Sequence, residues 1–231
     1  MHIFSVLPGL DWLALTCFIG FWAAYAWFAK VWGRREQSLL STTNLFRAQW
    51  VAQATSRDPR VLDGVITQNL SSTPAFFCST TIIIVGGLFA LLGTTEKAAE
   101  LVREIPFTQA TTMAVFEFKV LVLVAVFIYA FFRFSWSMRQ YTFVALVIGA
   151  MPSPEHFEAH PEAREPYVAK GAAMVSLAAE TFNDGLRAYY FSFAAMAWFF
   201  SPLIMMAATL LVVYVLYRRE FHSEVLKVLR D

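Results

Sequence analysis

The stretch AVFEFKVLVLVAVFIYAFFR, residues 114–133, decides the fold. Between Lys119 and Arg133 it carries no charged residue. At about 1.5 Å per residue a helix of this length measures about 30 Å. That is the thickness of a bilayer's hydrocarbon core. Three further blocks meet or approach the same length, at residues 10–32, 74–93 and 191–217. In each, the apolar residues are clustered instead of spread through amphipathic elements. The pattern predicts an all-α integral membrane protein with about four transmembrane helices.

Composition agrees. Apolar residues make up 58% of the 231-residue chain and charged residues 15%, against roughly 45–50% and 25% in soluble domains. A formal net charge of +1 gives no reason to expect a nucleic-acid partner. Cys17 and Cys78 both fall in apolar blocks and read as small packing residues. No Lys or Arg precedes Lys30, so the first block lacks the basic start of a secretory signal. Trp12 and Trp32 bracket that block and suit aromatic anchors at the two interfaces.

The intervening segments predict a cytoplasmic layer of amphipathic helices at 36–72 and 134–190, in a single polytopic domain over 1–231. Leu39, Leu40, Phe46, Trp50 and Val51 recur at helical spacings. Asp58-Pro59 predicts a helix start, because Asp caps well and Pro suits the first helical position. That helix runs into the second span, with a kink expected at Pro74. Gly86 and Ala90 offer a small-residue contact face. Residues 94–112, with Glu96, Glu100 and Glu104 against Lys97 and Arg103, predict a short loop. Apolar character after Arg133 continues to about Gly149, more than 50 Å of helix and too long for one crossing. The remainder is either a continuation beyond the membrane or a short interfacial helix. Residues 152–166, with four prolines, predict a linker. A helix then starts near Tyr167 and enters the fourth span, which Pro202 kinks.

Lys and Arg are concentrated in 30–73 and 133–190. The positive-inside bias therefore predicts both large loops in the cytoplasm and both termini outside. The basic tail, with Arg218, Arg219, Lys227 and Arg230, fits that arrangement poorly. A fifth short crossing within 134–190 would bring it inside.

Ionisable groups at membrane depth are costly and become the candidate site. Glu117 and Lys119 open the third span, two residues apart and not facing each other. Each needs a partner elsewhere or reaches to the interface. Glu180, Asn183, Asp184 and Arg187 share one helical face, at spacings of three, four and seven. They form either a self-satisfied polar network or a ligand or ion vestibule. Arg133, Arg139 and Gln140 close the third span and are placed to meet that acidic face. An anionic lipid headgroup is a second partner for them. All four histidines lie outside the spans, which leaves no ligand for a transmembrane haem. His156 and His160 lack the His-Glu-x-x-His order of a zinc protease. No cofactor and no metal is expected.

Several stretches together resemble a known family. They are Asp58-Pro59-Arg60 with Asp63 and Asn69, then Phe76-Phe77-Cys78-Ser79-Thr80, then Gly86-Gly87-Leu88. They continue with Phe134-Ser135-Trp136-Ser137-Met138-Arg139-Gln140, Asn183-Asp184-Gly185-Leu186-Arg187-Ala188-Tyr189-Tyr190-Phe191 and Tyr217-Arg218-Arg219-Glu220-Phe221. Over most of residues 10–221 the chain resembles the bacterial and plant family catalogued as domain of unknown function 599. Where bacterial relatives carry Asn-Arg-Gly, this chain has Asn183-Asp184-Gly185. The resemblance implies a polytopic membrane protein and no particular activity. With the positive-inside bias, it suggests a multi-pass protein of the bacterial inner membrane.

The expected function is a homo-oligomeric channel or transport protein for ions or small solutes. The alternative is a non-catalytic accessory or scaffold subunit that binds lipid or another membrane complex. An enzyme acting on lipid is a third and weaker reading.

Overall fold

The computed structural model describes residues 7–35, 38–94 and 112–230. The loop expected at 94–112, with its glutamates, Lys97 and Arg103, lies almost wholly outside the described residues, as does His2. Among the described residues the fold is all α and has no strand. In chain order the helices are α1 (Gly9–Arg35), α2 (Leu39–Ala54), α3 (Val61–Gly93), α4 (Met113–Gly149), α5 (Pro154–Ala159), α6 (Pro161–Ala197), α7 (Pro202–Phe221) and α8 (Glu224–Arg230). Four of them, α1, α3, α4 and the α7 region, are long and apolar enough to cross a membrane.

Local chemistry sets the helix boundaries. The Ser38 hydroxyl accepts from the Ser41 amide at 3.1 Å and caps α2. The Thr112 hydroxyl accepts from the Val115 amide and caps α4. The expected start at Asp58-Pro59 is corrected: α3 begins at Val61, after Arg60. Arg60 is held there by carbonyls, donating through Nε to Ala54 at 3.1 Å and through Nη1 to Met151 at 3.0 Å. Pro74 lies inside α3, which remains one continuous helix. The proline-rich 152–166 segment is mostly helical. Pro154 and Pro161 each open a helix, where a missing amide hydrogen costs nothing.

The expected span at 191–217 is not one helix. It divides into the end of α6 and the start of α7, with the break at Trp198–Ser201. Pro202 stands at the start of α7 and does not kink a longer helix. The Ser201 hydroxyl caps the new helix by accepting from the Ile204 amide at 3.1 Å. The two helices are antiparallel. Arg187 of α6 bonds Glu220 of α7 at 3.0 Å, and the Arg219 guanidinium lies 4.9 Å from the Tyr190 ring centre.

This hairpin changes the path of the chain. α1 runs from a distal end to a polar end, α3 returns, and α4 descends again. The last turns of α6 climb back beside them, and α7 descends once more. Asp11, Lys119 and Trp198 meet at the distal level. Lys30, Arg133, Asp184 and Glu220 meet at the polar level. Along α4 the two levels are about 21 Å apart, from Lys119 to Arg133 at 1.5 Å per residue. The start of α1 and the end of α7 therefore lie at opposite ends of the bundle. Lys119 excepted, every Lys and Arg of the described residues belongs to the polar end.

Below the polar level α4 continues without a break to Gly149. There α2, the start of α3 and the first half of α6 pack around it. Apart from a small cluster of Phe116, Val120 and Val124 on α4, two apolar clusters fill the interior. The distal one includes Phe18, Phe134, Phe191 and Trp198, and the polar-end one includes Val51, Tyr141, Val144 and Val175. The Ser137 hydroxyl ties α4 to α6 by donating to the Ala178 carbonyl at 2.7 Å.

Candidate functional site

Asp184 is the centre of the polar level. It sits on α6, buried, and faces three cations on three helices. Lys30 of α1 approaches to 3.4 Å, Arg187 one turn along α6 donates at 3.1 Å, and Arg133 of α4 donates to the other carboxylate oxygen. Arg187 also grips Glu220 of α7 at 3.0 and 3.1 Å. The Tyr25 hydroxyl of α1 donates to the same carboxylate at 3.2 Å. Three cations thus face two carboxylates. Buried ion pairs survive only when such hydrogen bonds offset the desolvation of each charge. The network ties together four helices and leaves an excess of positive charge.

A second, smaller group closes the distal level. Lys119, buried, donates to the Trp198 carbonyl at 2.9 Å and lies 3.7 Å from Asp11. The Trp198 indole donates to Asp11 at 2.6 Å. Trp198 is the residue at which α6 ends, so its carbonyl lacks a helical donor and Lys119 supplies one. Glu117, half-buried, forms no ion pair among the described residues. A fourth buried acid, Asp63 of α3, accepts from the Trp50 indole at 2.8 Å and from Arg57 at 2.5 Å.

Beside the polar network a cavity of about 400 Å³ opens between α2, α3, α6 and α7. Arg47, Asn69, Asn183 and Arg219 supply its polar wall, and Leu40 and Phe182 part of its apolar wall. Glu220 reaches the cavity with its charge already engaged by Arg187. Burial pushes the Arg47 guanidinium below its ordinary pKa, and Tyr141 and Glu180 pull it back up. Tyr141 also lines a second cavity of about 500 Å³ between α3 and α4, with Gln68, Ser71 and Thr142 on its wall.

The expected site residues fare differently. Arg133, Asp184 and Arg187 come together directly. Asn183 lines the 400 Å³ cavity. Glu180 lines a small recess with Lys30 and Asp184 but makes no ion pair. Gln140 is buried, and its amide oxygen has no hydrogen-bond partner among the described residues. Arg139 points away, exposed, with its guanidinium 5.5 Å from the Phe143 ring centre. Tyr25, Lys30, Arg47, Arg219 and Glu220 were not anticipated. Their sequence separations, up to 195 residues for Tyr25 and Glu220, leave no local signal. His156 and His160 stack ring on ring at 4.7 Å. Among the described residues no group of three His, Cys, Asp or Glu is placed to hold a metal.

The family model described as protein of unknown function, DUF599, matches residues 13–225. The chain belongs to this family. No curated protein and no solved structure matches it. For this DUF599 member the matched region takes in Arg47, Asp184, Arg187, Arg219 and Glu220, and so both the ion network and the cavity beside it.

Proposed function

We propose that the protein is a membrane protein of the bacterial inner membrane that binds a ligand without transforming it, in the cavity beneath α2. Its polar end faces the cytoplasm. The Lys and Arg residues gathered there support that orientation through the positive-inside bias. The observation that carries the reading is the 400 Å³ cavity itself, mostly apolar with a few polar groups in its lining, at the level where the membrane core gives way to the polar layer. Ligand sites characteristically combine an apolar wall with a few convergent polar groups.

Thr73 lines the cavity and is exposed, so Thr73→Trp fills it without disturbing the core. Native mass spectrometry of gently extracted protein tests the reading. The wild type carries a bound mass and the Thr73→Trp variant loses it. A bare wild-type chain, or equal retention by both, contradicts the proposal.

A homo-oligomeric conduit is the second reading. Between the two charged levels the interior is filled by aromatic rings, including Trp22 stacked on Phe191 at 5.4 Å and Phe77 stacked on Phe134 at 5.2 Å. A conduit would therefore form between copies. It is favoured by α3, whose most apolar stretch is only 11% buried, with open space beside Gly86 and Gly87. A particle mass that is a pure multiple of 26.1 kDa supports it, and a single-copy particle excludes it.

A further inference from the structure

We infer that the cavity takes a phosphate-bearing anion, held between Arg47 and Arg219; this rests on the ligand-binding reading above and gives the ligand its class. The charge inventory of the cavity wall makes the case. Its one carboxylate, Glu220, receives two hydrogen bonds from Arg187 and one from Tyr25. Its charge is committed away from the cavity. Arg47 donates through Nη1 to the Thr43 hydroxyl at 2.9 Å and the Asn44 side chain at 2.6 Å, both uncharged. Its remaining nitrogens have no acceptor among the described residues, and no carboxylate lies within ion-pair distance. Glu180 acts on Arg47 only from farther away. Arg219 stacks on Tyr190 and has neither an ion pair nor a hydrogen bond among the described residues. Two half-buried guanidiniums therefore border one cavity without a counter-charge.

A guanidinium presents parallel N–H donors that match the spacing of phosphate oxygens. Asn69 and Asn183 add amide donors to the lining. Leu39, Leu40, Leu70 and Val225 give the same cavity an apolar lining as well, which suits the organic part of the ligand. A phospholipid headgroup and a free organic phosphate share this chemistry.

The test uses full-length protein in phosphatidylcholine nanodiscs, with and without phosphatidylglycerol, and separately with inorganic phosphate. The readouts are retained lipid by native mass spectrometry and the unfolding temperature. Wild type, Arg47→Gln/Arg219→Gln, Arg47→Lys/Arg219→Lys and Thr73→Trp are compared. Preferential retention of phosphatidylglycerol by the wild type, reduced at least tenfold in the double Gln variant and partly restored by the Lys variant, identifies a lipid headgroup. A phosphate-dependent rise in unfolding temperature, lost in the double Gln variant, identifies a free anion. If the double Gln variant matches the wild type in both arms, the anionic class is overturned. Should Thr73→Trp still expel a bound mass in that case, the cavity reading survives alone. If no variant changes what is bound, both fall.

Discussion

At the scale of single residues, Arg187 holds the buried ion network together. It neutralises Asp184 on its own helix and Glu220 across the α6–α7 hairpin, with 4% of its surface exposed. Removing one partner of a buried pair leaves the other charge desolvated, at a cost of about 3–5 kcal/mol. Arg187→Met is therefore expected to lower unfolding stability in detergent by that amount. Arg187→Met/Glu220→Met recovers most of the loss, because neither charge is then stranded. A single variant within about 1 kcal/mol of wild type, the usual span of exposed pairs, would show that the network is solvated. Gly185 makes a different demand. A Cβ there would sit 2.5 Å from the Phe134 ring. That ring is fully buried and wedged against Phe77, Phe182 and Tyr189, so it has nowhere to go. Gly185→Ala should destabilise the protein by about 1–3 kcal/mol, the usual cost of overpacking. Chemical denaturation measures this directly, and a neutral result would mean that α4 and α6 can separate.

At the scale of elements, the hairpin at Trp198–Ser201 gives the fold its handed path. Hydropathy alone merges the end of α6 with α7, since residues 191–217 read as one apolar run. The signal for the break was present in Ser201-Pro202, a cap residue followed by a proline that opens a helix. In an apolar block the same proline equally suits a kink. The spans of α1, α3 and α4 were legible because length and hydrophobicity specify them directly. The partners of Asp184 were half legible. Helical spacing brings Arg187 to it and the end of the third span brings Arg133, whereas Lys30 arrives only through packing of distant helices, as Glu220 does at Arg187. Arg47 and Arg219 looked like ordinary surface cations for the same reason. The hairpin makes a firm statement about sidedness. In a background with Cys17 and Cys78 replaced by Ser, cysteines at Glu158 and Glu224 should react with a membrane-impermeant thiol reagent from one side. A cysteine at Thr94 should react only from the other. All three positions are exposed. Labelling of Glu224→Cys together with Thr94→Cys would mean that α6 does not return through the bilayer.

At the scale of the whole molecule, the bundle has two unlike ends. Among the described residues the distal end is closed by the small Asp11–Lys119–Trp198 group. Among the described residues the polar end carries every Lys and Arg but Lys119, and it continues as a helical layer around α4, with the cavity at the junction. The buried network braces that junction and leaves Arg47 and Arg219 uncompensated beside it. Such a division, with a rigid braced scaffold and a few unspent charges at its edge, is what a binding site on a membrane face requires. The most direct measurement is a high-resolution density map of the protein purified in its native lipids. The account predicts density between α2, α3, α6 and α7, with its strongest feature in contact with the Arg47 and Arg219 guanidiniums and a weaker extension along Leu40 and Leu70. A map in which the cavity is empty, or in which both arginines turn away to solvent, would contradict it.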